Sequence, residues 1–210
     1  MMRDFYPDNE TLIAGMRASG VLHTPRIAEA FRRADRRYFV PSGFDEVLYV
    51  DAPLPIGADQ TISQPSTVAF MLELLEPKPA ERILDIGSGS GWTTALLGEI
   101  VGPEGEVTGL ERQPALVEQG RKNLEPLGLK QARIEPAGDA LGMPGETFDA
   151  ILVSASAPEV PQQLFSQLKP GGRLVIPVGN SIFRFTKLSD TAIRREEYPG
   201  FVFVPLIYER

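Results

Sequence analysis

The chain of 210 residues carries 21 basic and 28 acidic side chains, a formal net charge of −7, no cysteine and one histidine, His23. That length suits one α/β domain with a modest extension, and it can bury a core without disulfides or metals. Lack of cysteine excludes disulfide scaffolds, thiolate zinc sites and cysteine nucleophiles, a lone histidine excludes a multi-histidine metal site, and an acidic surface disfavours nucleic acid as a partner.

The N-terminus Met1-Met2-Arg3-Asp4-Phe5 holds no apolar signal region, and no apolar run nears membrane-spanning length. A soluble cytoplasmic protein with no membrane partner is therefore expected. Residues 11–37 place Leu12, Ile13, Met16, then Ile27, Ala30, Phe31 and Ala34 at helical spacing, which predicts two amphipathic helices broken near Gly20. Residues 40–62 are rich in Pro and Gly and read as irregular. Pro65 fits the first turn of a helix running to Leu75, and Pro77 and Pro79 end it.

From Arg82 onward the pattern alternates. Strands are predicted at 82–86, 106–110, 132–136, 148–154, 172–178, 182–188 and 201–206, and helices at 92–100, 114–124 and 160–168. Such alternation predicts a doubly wound, mostly parallel seven-stranded α/β sheet with helices on both faces. The last two strands, separated by the polar residues 189–199, are expected to form an antiparallel hairpin. The chain reads as a single domain, with a helical extension over 1–79 and a Rossmann-like core over 80–210.

The segment Ile83-Leu84-Asp85-Ile86-Gly87-Ser88-Gly89-Ser90-Gly91 joins a buried strand to a helix. Glycines at such a turn allow positive φ and let a ligand approach the backbone, while the helix start offers free N–H groups. The spacing G-x-G-x-G is not the dinucleotide fingerprint G-x-G-x-x-G, and the Gly-Lys-Ser/Thr of a P-loop is absent. Glu111 ends the next strand about 20 residues further on, where an acidic residue takes ribose hydroxyls in doubly wound folds. Gly138-Asp139 follows the third strand. Asp139 reads equally as a turn residue or as an acceptor for an adenine amino group.

These features together resemble the Rossmann-like S-adenosylmethionine-dependent methyltransferases. That likeness implies a glycine turn holding the amino-acid portion of the cofactor and Asp85 near its methionine end. The Asn/Asp-Pro-Pro-Tyr/Phe of nucleobase amino-methyltransferases is replaced here by Ser154-Ala155-Ser156-Ala157-Pro158, which sets DNA aside.

Four further segments narrow the likeness: Arg37-Tyr38-Phe39-Val40-Pro41; Leu54-Pro55-Ile56-Gly57 with Gln60-Thr61-Ile62-Ser63-Gln64-Pro65; Ala157-Pro158-Glu159-Val160-Pro161 with Leu168-Lys169-Pro170-Gly171-Gly172; and Phe203-Val204-Pro205-Leu206. Over roughly residues 12–206 the chain resembles the protein-L-isoaspartate O-methyltransferases. The resemblance implies methyl transfer from S-adenosyl-L-methionine to the α-carboxylate of L-isoaspartyl residues in proteins and peptides, leaving S-adenosyl-L-homocysteine. It places Ser63 at the reaction centre, although residue type alone makes Ser63 a helix cap before Pro65. Cofactor contacts are expected from Thr61, Ile62, Ser63, Asp85, Gly87, Ser88, Gly89, Gly91, Glu111, Asp139 and Ala140. Acceptor contacts are expected from Leu54, Pro55, Ser63, Val204 and Pro205, with no metal ligand and a monomeric enzyme.

Three positions depart from the family pattern. Ala140 stands where Gly is frequent and is expected to crowd adenine or alter the turn. Trp92 keeps an aromatic where Tyr is frequent. Ser66 replaces a bulky residue, and a looser cofactor wall or altered acceptor choice is expected. Two competing readings keep the fold: carboxyl methylation of another peptide or small-molecule acceptor, and a cofactor-binding module without turnover.

Overall fold

The computed structural model describes residues 5–208; the expectation placed on residues 1–4 lies outside it. Helices α1 (Asn9–Ala18) and α2 (Pro25–Arg33) open the fold. α1 starts in a capping box formed by Asp8 and Thr11, which satisfies free N–H groups of its first turn. Gly20, at φ +80°, turns the chain between the two helices.

Residues 54–62, expected to be irregular, form a small antiparallel hairpin of β1 (Leu54–Gly57) and β2 (Gln60–Ile62). Ala58 and Asp59 close it with φ of 51° and 56°. Positive φ at both central residues is the geometry of a tight hairpin turn. The sequence hid it, because Pro55 and Gly57 weaken a strand pattern and Ala58-Asp59 is not the usual Asn-Gly signal. Helix α3 (Pro65–Leu75) follows and ends at Glu76, which takes a left-handed φ of 50°.

The main sheet contains β3 (Arg82–Ile86), β4 (Glu106–Glu111), β5 (Ala132–Pro136), β6 (Phe148–Val153), β7 (Leu168–Val178), β8 (Ser181–Lys187) and β9 (Ile193–Pro199). Their spatial order is β5-β4-β3-β6-β7-β8-β9. Pairs from β5 to β7 are parallel, while β7–β8 and β8–β9 are antiparallel. Helices α4 (Trp92–Val101) and α5 (Pro114–Leu124) carry the chain from β3 to β4 and on to β5. The chain then returns to β6 on the other side of β3. Strand order therefore reverses beside the C-terminal end of β3, the place where open α/β sheets form a ligand crevice.

The two faces of the sheet are covered differently. Ile83, Val107, Ala150, Leu152 and Val175 share one core with buried residues of α1 to α5. Leu84, Ile151, Val153, Leu174 and Ile176 face a second core with Leu141, Leu164 and Leu168. The helix expected at 160–168 is a 3₁₀ helix, Gln162–Gln167, and β7 already begins at Leu168. Between Pro161 and that strand too few residues remain to nucleate an α-helix. Among the described residues the second face is thus covered by loops and 3₁₀ turns, where an α-helix was expected.

The seventh strand is also not where the pattern put it. β8 pairs with β9, which is the polar stretch itself, with Arg184 opposite Glu196 and Phe185 opposite Arg195. The Arg195 guanidinium lies 4.5 Å from the Phe183 ring centroid, so a charged stem covers apolar surface. An edge strand can be this polar because it is solvated along one side. Residues 201–206, expected to be that strand, instead run extended beside residue 156. Ser156 N donates to Val204 O at 2.8 Å, and Leu206 N to Ser156 O at 2.8 Å. This contact delivers the tail to the crevice.

Candidate active site

A cleft enclosing about 1030 Å³, measured out to its open mouth, lies at the strand-order reversal. Its floor is the 87–91 turn. Gly87 and Gly89 line the cleft at φ of 79° and 55°, so the backbone itself forms the surface. A Cβ on Gly89 would sit 3.1 Å from Ile56 Cδ1 of the hairpin. Gly91 does not line the cleft. At φ 94° it caps α4, and a Cβ there would meet Ile134 Cδ1 at 2.9 Å and Gly120 O at 3.3 Å. Gly91 thus packs the turn against α5 and β5.

Glu111 is 7 % exposed and ties the turn to the end of β4. Its Oε2 accepts from Gly89 N at 2.9 Å and its Oε1 from Gln113 N at 2.8 Å. Each carboxylate oxygen keeps a lone pair directed elsewhere. Asp85 lies beneath the turn, fully buried and outside the cleft lining. Its Oδ2 accepts from Thr93 Oγ1 at 2.6 Å and Thr94 Oγ1 at 2.7 Å. Burial pushes its pKa up to about 6 against those two hydroxyls, with the charge of Glu111 adding to the rise. Asp85 reaches the cleft through Thr93, which does line it.

The opposite wall comes from the hairpin and the residues after it: Ile56, Gln60, Thr61, Ile62 and Ser63. Ser63 does not cap α3. That helix has Gln64 at its N-cap without a side-chain cap bond, and Asp51 satisfies the helix start instead, accepting from Ser66 N at 2.9 Å. Ser63 lines the cleft and its hydroxyl makes no hydrogen bond among the described residues, so the helix-cap alternative falls. Leu54 and Pro55 lie outside the lining, Leu54 buried in the core and Pro55 exposed. Asp139 is exposed and also outside it, while Gly138, Ala140 and Leu141 line the far end. Val204 and Pro205 line the cleft together with Leu206, Ile207 and Tyr208.

Several lining residues were not among the expected contacts. Trp92 is 2 % exposed, with Nε1 donating to Ala34 O at 2.9 Å and its ring edge-on to Phe31 at 5.5 Å. Ser154 and Ala155 enter because β6 ends beside the turn, and Arg112 because it follows Glu111. Ile207 and Tyr208 enter through the Ser156–Leu206 contact, which pairing alone could reveal. Ser66 lies outside the lining, with Oγ donating to Asp51 Oδ2 at 2.6 Å.

The family model for protein-L-isoaspartate(D-aspartate) O-methyltransferase matches residues 7–210. The chain belongs to this family. Among curated members, a protein-L-isoaspartate O-methyltransferase of Methanopyrus kandleri is 43 % identical over 95 % of this chain and 91 % of its own length. One of Pyrococcus horikoshii is 39 % identical over 99 % of this chain and 96 % of its own. A solved structure from Plasmodium falciparum, described as a protein-L-isoaspartate O-methyltransferase in complex with S-adenosyl-L-homocysteine, superposes with a TM-score of 0.84. It is 26 % identical and covers 95 % of this chain and 98 % of its own. The sheet of this methyltransferase family member is thus the family's methyltransferase fold, mostly parallel with C-terminal antiparallel strands.

The residues suit the family's cofactor on two counts. Glycines 87 and 89 leave the turn open to close approach, and the Oγ of Ser88, which also lines the cleft, is buried without a hydrogen-bond partner. A buried unpaired hydroxyl in a cleft wall calls for a polar ligand group. Among the described residues no His/Asp/Glu group could hold a metal ion, and no helix is long and apolar enough to cross a membrane.

Proposed function

We propose that this chain methylates the α-carboxylate of L-isoaspartyl residues in proteins and peptides, using S-adenosyl-L-methionine. The observation that supports this reading is Ser63, which shares one cleft with the glycine turn and whose hydroxyl has no hydrogen-bond partner among the described residues. When bound, the cofactor supplies an electrophilic methyl group on its sulfonium. Gly87, Ser88 and Gly89 would cradle its amino-acid portion and Glu111 its ribose hydroxyls. The loop of Gly138, Asp139 and Ala140 would flank adenine.

The acceptor carboxylate is ionised at neutral pH, so the chain need supply no general base. Its residues act on alignment. The Ser63 hydroxyl donates to one carboxylate oxygen and fixes the approach of the other. Thr61, Ile62 and the tail residues Val204 and Pro205 wall the cleft against water, with the buried Leu54 supporting the hairpin behind them. Orientation of this kind supplies on the order of 7–11 kcal/mol in favourable systems. A backbone amide nitrogen of the acceptor then attacks the ester carbonyl without the enzyme, losing its proton and expelling methanol, and the succinimide so formed is hydrolysed in part to normal aspartate. Action as a monomer in the cytoplasm completes the proposal, and light scattering on the purified chain tests the oligomeric state.

The deciding experiment compares an isoaspartyl peptide with its aspartyl twin as methyl acceptors. Labelling of the isoaspartyl peptide alone is expected. Labelling of both, or of neither with cofactor binding intact, overturns the reading. Ser63→Ala is expected to lower kcat/KM by about 10- to 100-fold, as loss of a hydrogen bond to a charged group does. Affinity for S-adenosyl-L-homocysteine, measured by calorimetry, should stay within a factor of about two.

A further inference from the structure

Among the described residues Arg36 is the largest side chain with no solvent exposure. Burying a guanidinium is unfavourable unless its N–H groups are matched. Here both Nη nitrogens meet backbone carbonyls, while Nε is buried without a hydrogen-bond partner among the described residues. Nη1 donates to Leu48 O at 3.1 Å and Val50 O at 3.0 Å, and Nη2 to Ala52 O at 2.8 Å and Ser63 O at 3.1 Å. No carboxylate shares these bonds. The carboxylate of Asp51 attracts Arg36 from nearby but is occupied by Ser66 and by Gln64 Nε2 at 3.1 Å. Burial pushes the Arg36 pKa down to about 10, which leaves it charged at neutral pH.

The carbonyls it gathers are not a random set. Ala52 precedes β1 and Ser63 follows β2, so one nitrogen closes the base of the hairpin that forms the acceptor wall. Leu48 and Val50 fix the chain leading into that hairpin. The guanidinium also lies 5.5 Å from the ring centroid of Trp92, the first residue of α4 after the glycine turn. One side chain therefore touches the backbone of Ser63 and the aromatic wall beside the cofactor turn.

We infer that Arg36 is a positioning residue for methyl transfer: it holds the backbone of Ser63, and with it the Ser63 hydroxyl, in register with the glycine turn through Trp92. The inference rests on the role proposed for Ser63. A planar five-donor group suits this task because its fork can span carbonyls from several chain segments. Lysine keeps the charge but is a compact donor on a flexible stem and cannot span all four.

The test uses R36K, R36M, S63A and the double variant R36K/S63A in the full chain, assayed below their unfolding midpoints. In R36K, kcat on the isoaspartyl peptide is expected to fall roughly 10- to 100-fold, the range for slight misplacement of reacting groups. R36M should lose more than R36K. Peptide KM should move much less than kcat, and S-adenosyl-L-homocysteine affinity by less than about twofold. In the S63A background the R36K effect should largely vanish, because both act on one hydroxyl.

A wild-type kcat in R36K overturns the inference. So does cofactor affinity falling in step with kcat, or failure of both Arg36 variants to fold, since either makes Arg36 a residue of the fold as a whole. If S63A is slow but R36K keeps its full effect in that background, the inference about Arg36 fails and Ser63 stands. If S63A turns over like wild type, the Ser63 role fails and takes this inference with it.

Discussion

Asp85, one residue before the end of the first parallel strand, has one carboxylate oxygen on the hydroxyls of Thr93 and Thr94 and the other buried without a partner among the described residues. Its position in the Ile86-Gly87 motif was legible, but its neighbours were not, because helix α4 has to fold back before the two threonines arrive. Burial holds its pKa near 6, above the ordinary 3.8. A raised carboxyl pKa contributes stability that is fully present below the unfolded value and is lost as pH rises through the folded one. The unfolding free energy of wild type relative to Asp85→Asn should therefore drop by about 2–3 kcal/mol between pH 4 and pH 7. Urea titrations across that range measure it, and a flat difference would show that Asp85 carries no linked proton. At Ser63 the residue type pointed to a helix cap and the surrounding motif to the reaction centre. Asp51, twelve positions upstream, takes over the cap, which removes the first of these readings.

At the scale of elements, strongly periodic segments were read closely: the strand at 82–86, the strand at 132–136 and the helix at 114–124 stand as predicted. Segments whose form depends on a partner were not. The hairpin at 54–62, the charged edge strand Ile193–Pro199 and the extended tail each take their shape from a neighbour across space. Helix α2 shows the same dependence at its start. Thr24, at its N-cap, makes no side-chain cap bond. Instead Glu73 of α3 accepts from His23 N at 2.9 Å, Thr24 N at 2.8 Å and Thr24 Oγ1 at 2.7 Å. Glu73→Ala should strand those donors and destabilise the protein by about 1–3 kcal/mol. A shift of the urea midpoint at unchanged slope would register it, and an unchanged midpoint would show that water replaces the carboxylate.

Across the whole molecule, residues of α1 and α2 such as Leu12, Met16, Ile27 and Phe31 belong to the same buried cluster as Ile83, Leu152 and Ile182 of the sheet. The N-terminal 79 residues and the core that follows are therefore proposed to unfold together. Calorimetry should show one transition with matching calorimetric and van't Hoff enthalpies. A separate early transition would mean that the extension folds on its own. What the sequence by itself determined is local and periodic: parallel strands at β3 to β7, the glycine turn, Glu111 beside it, and the motif around Ser63. These follow from hydrophobic spacing and backbone freedom, which act within a few residues. Only the tertiary structure decided that the tail reaches the cleft beside residue 156, that Asp51 frees Ser63 from capping, and that Arg36 joins the base of the hairpin to Trp92. Those depend on burying polar groups against partners far along the chain, and a carbonyl looks the same in every sequence.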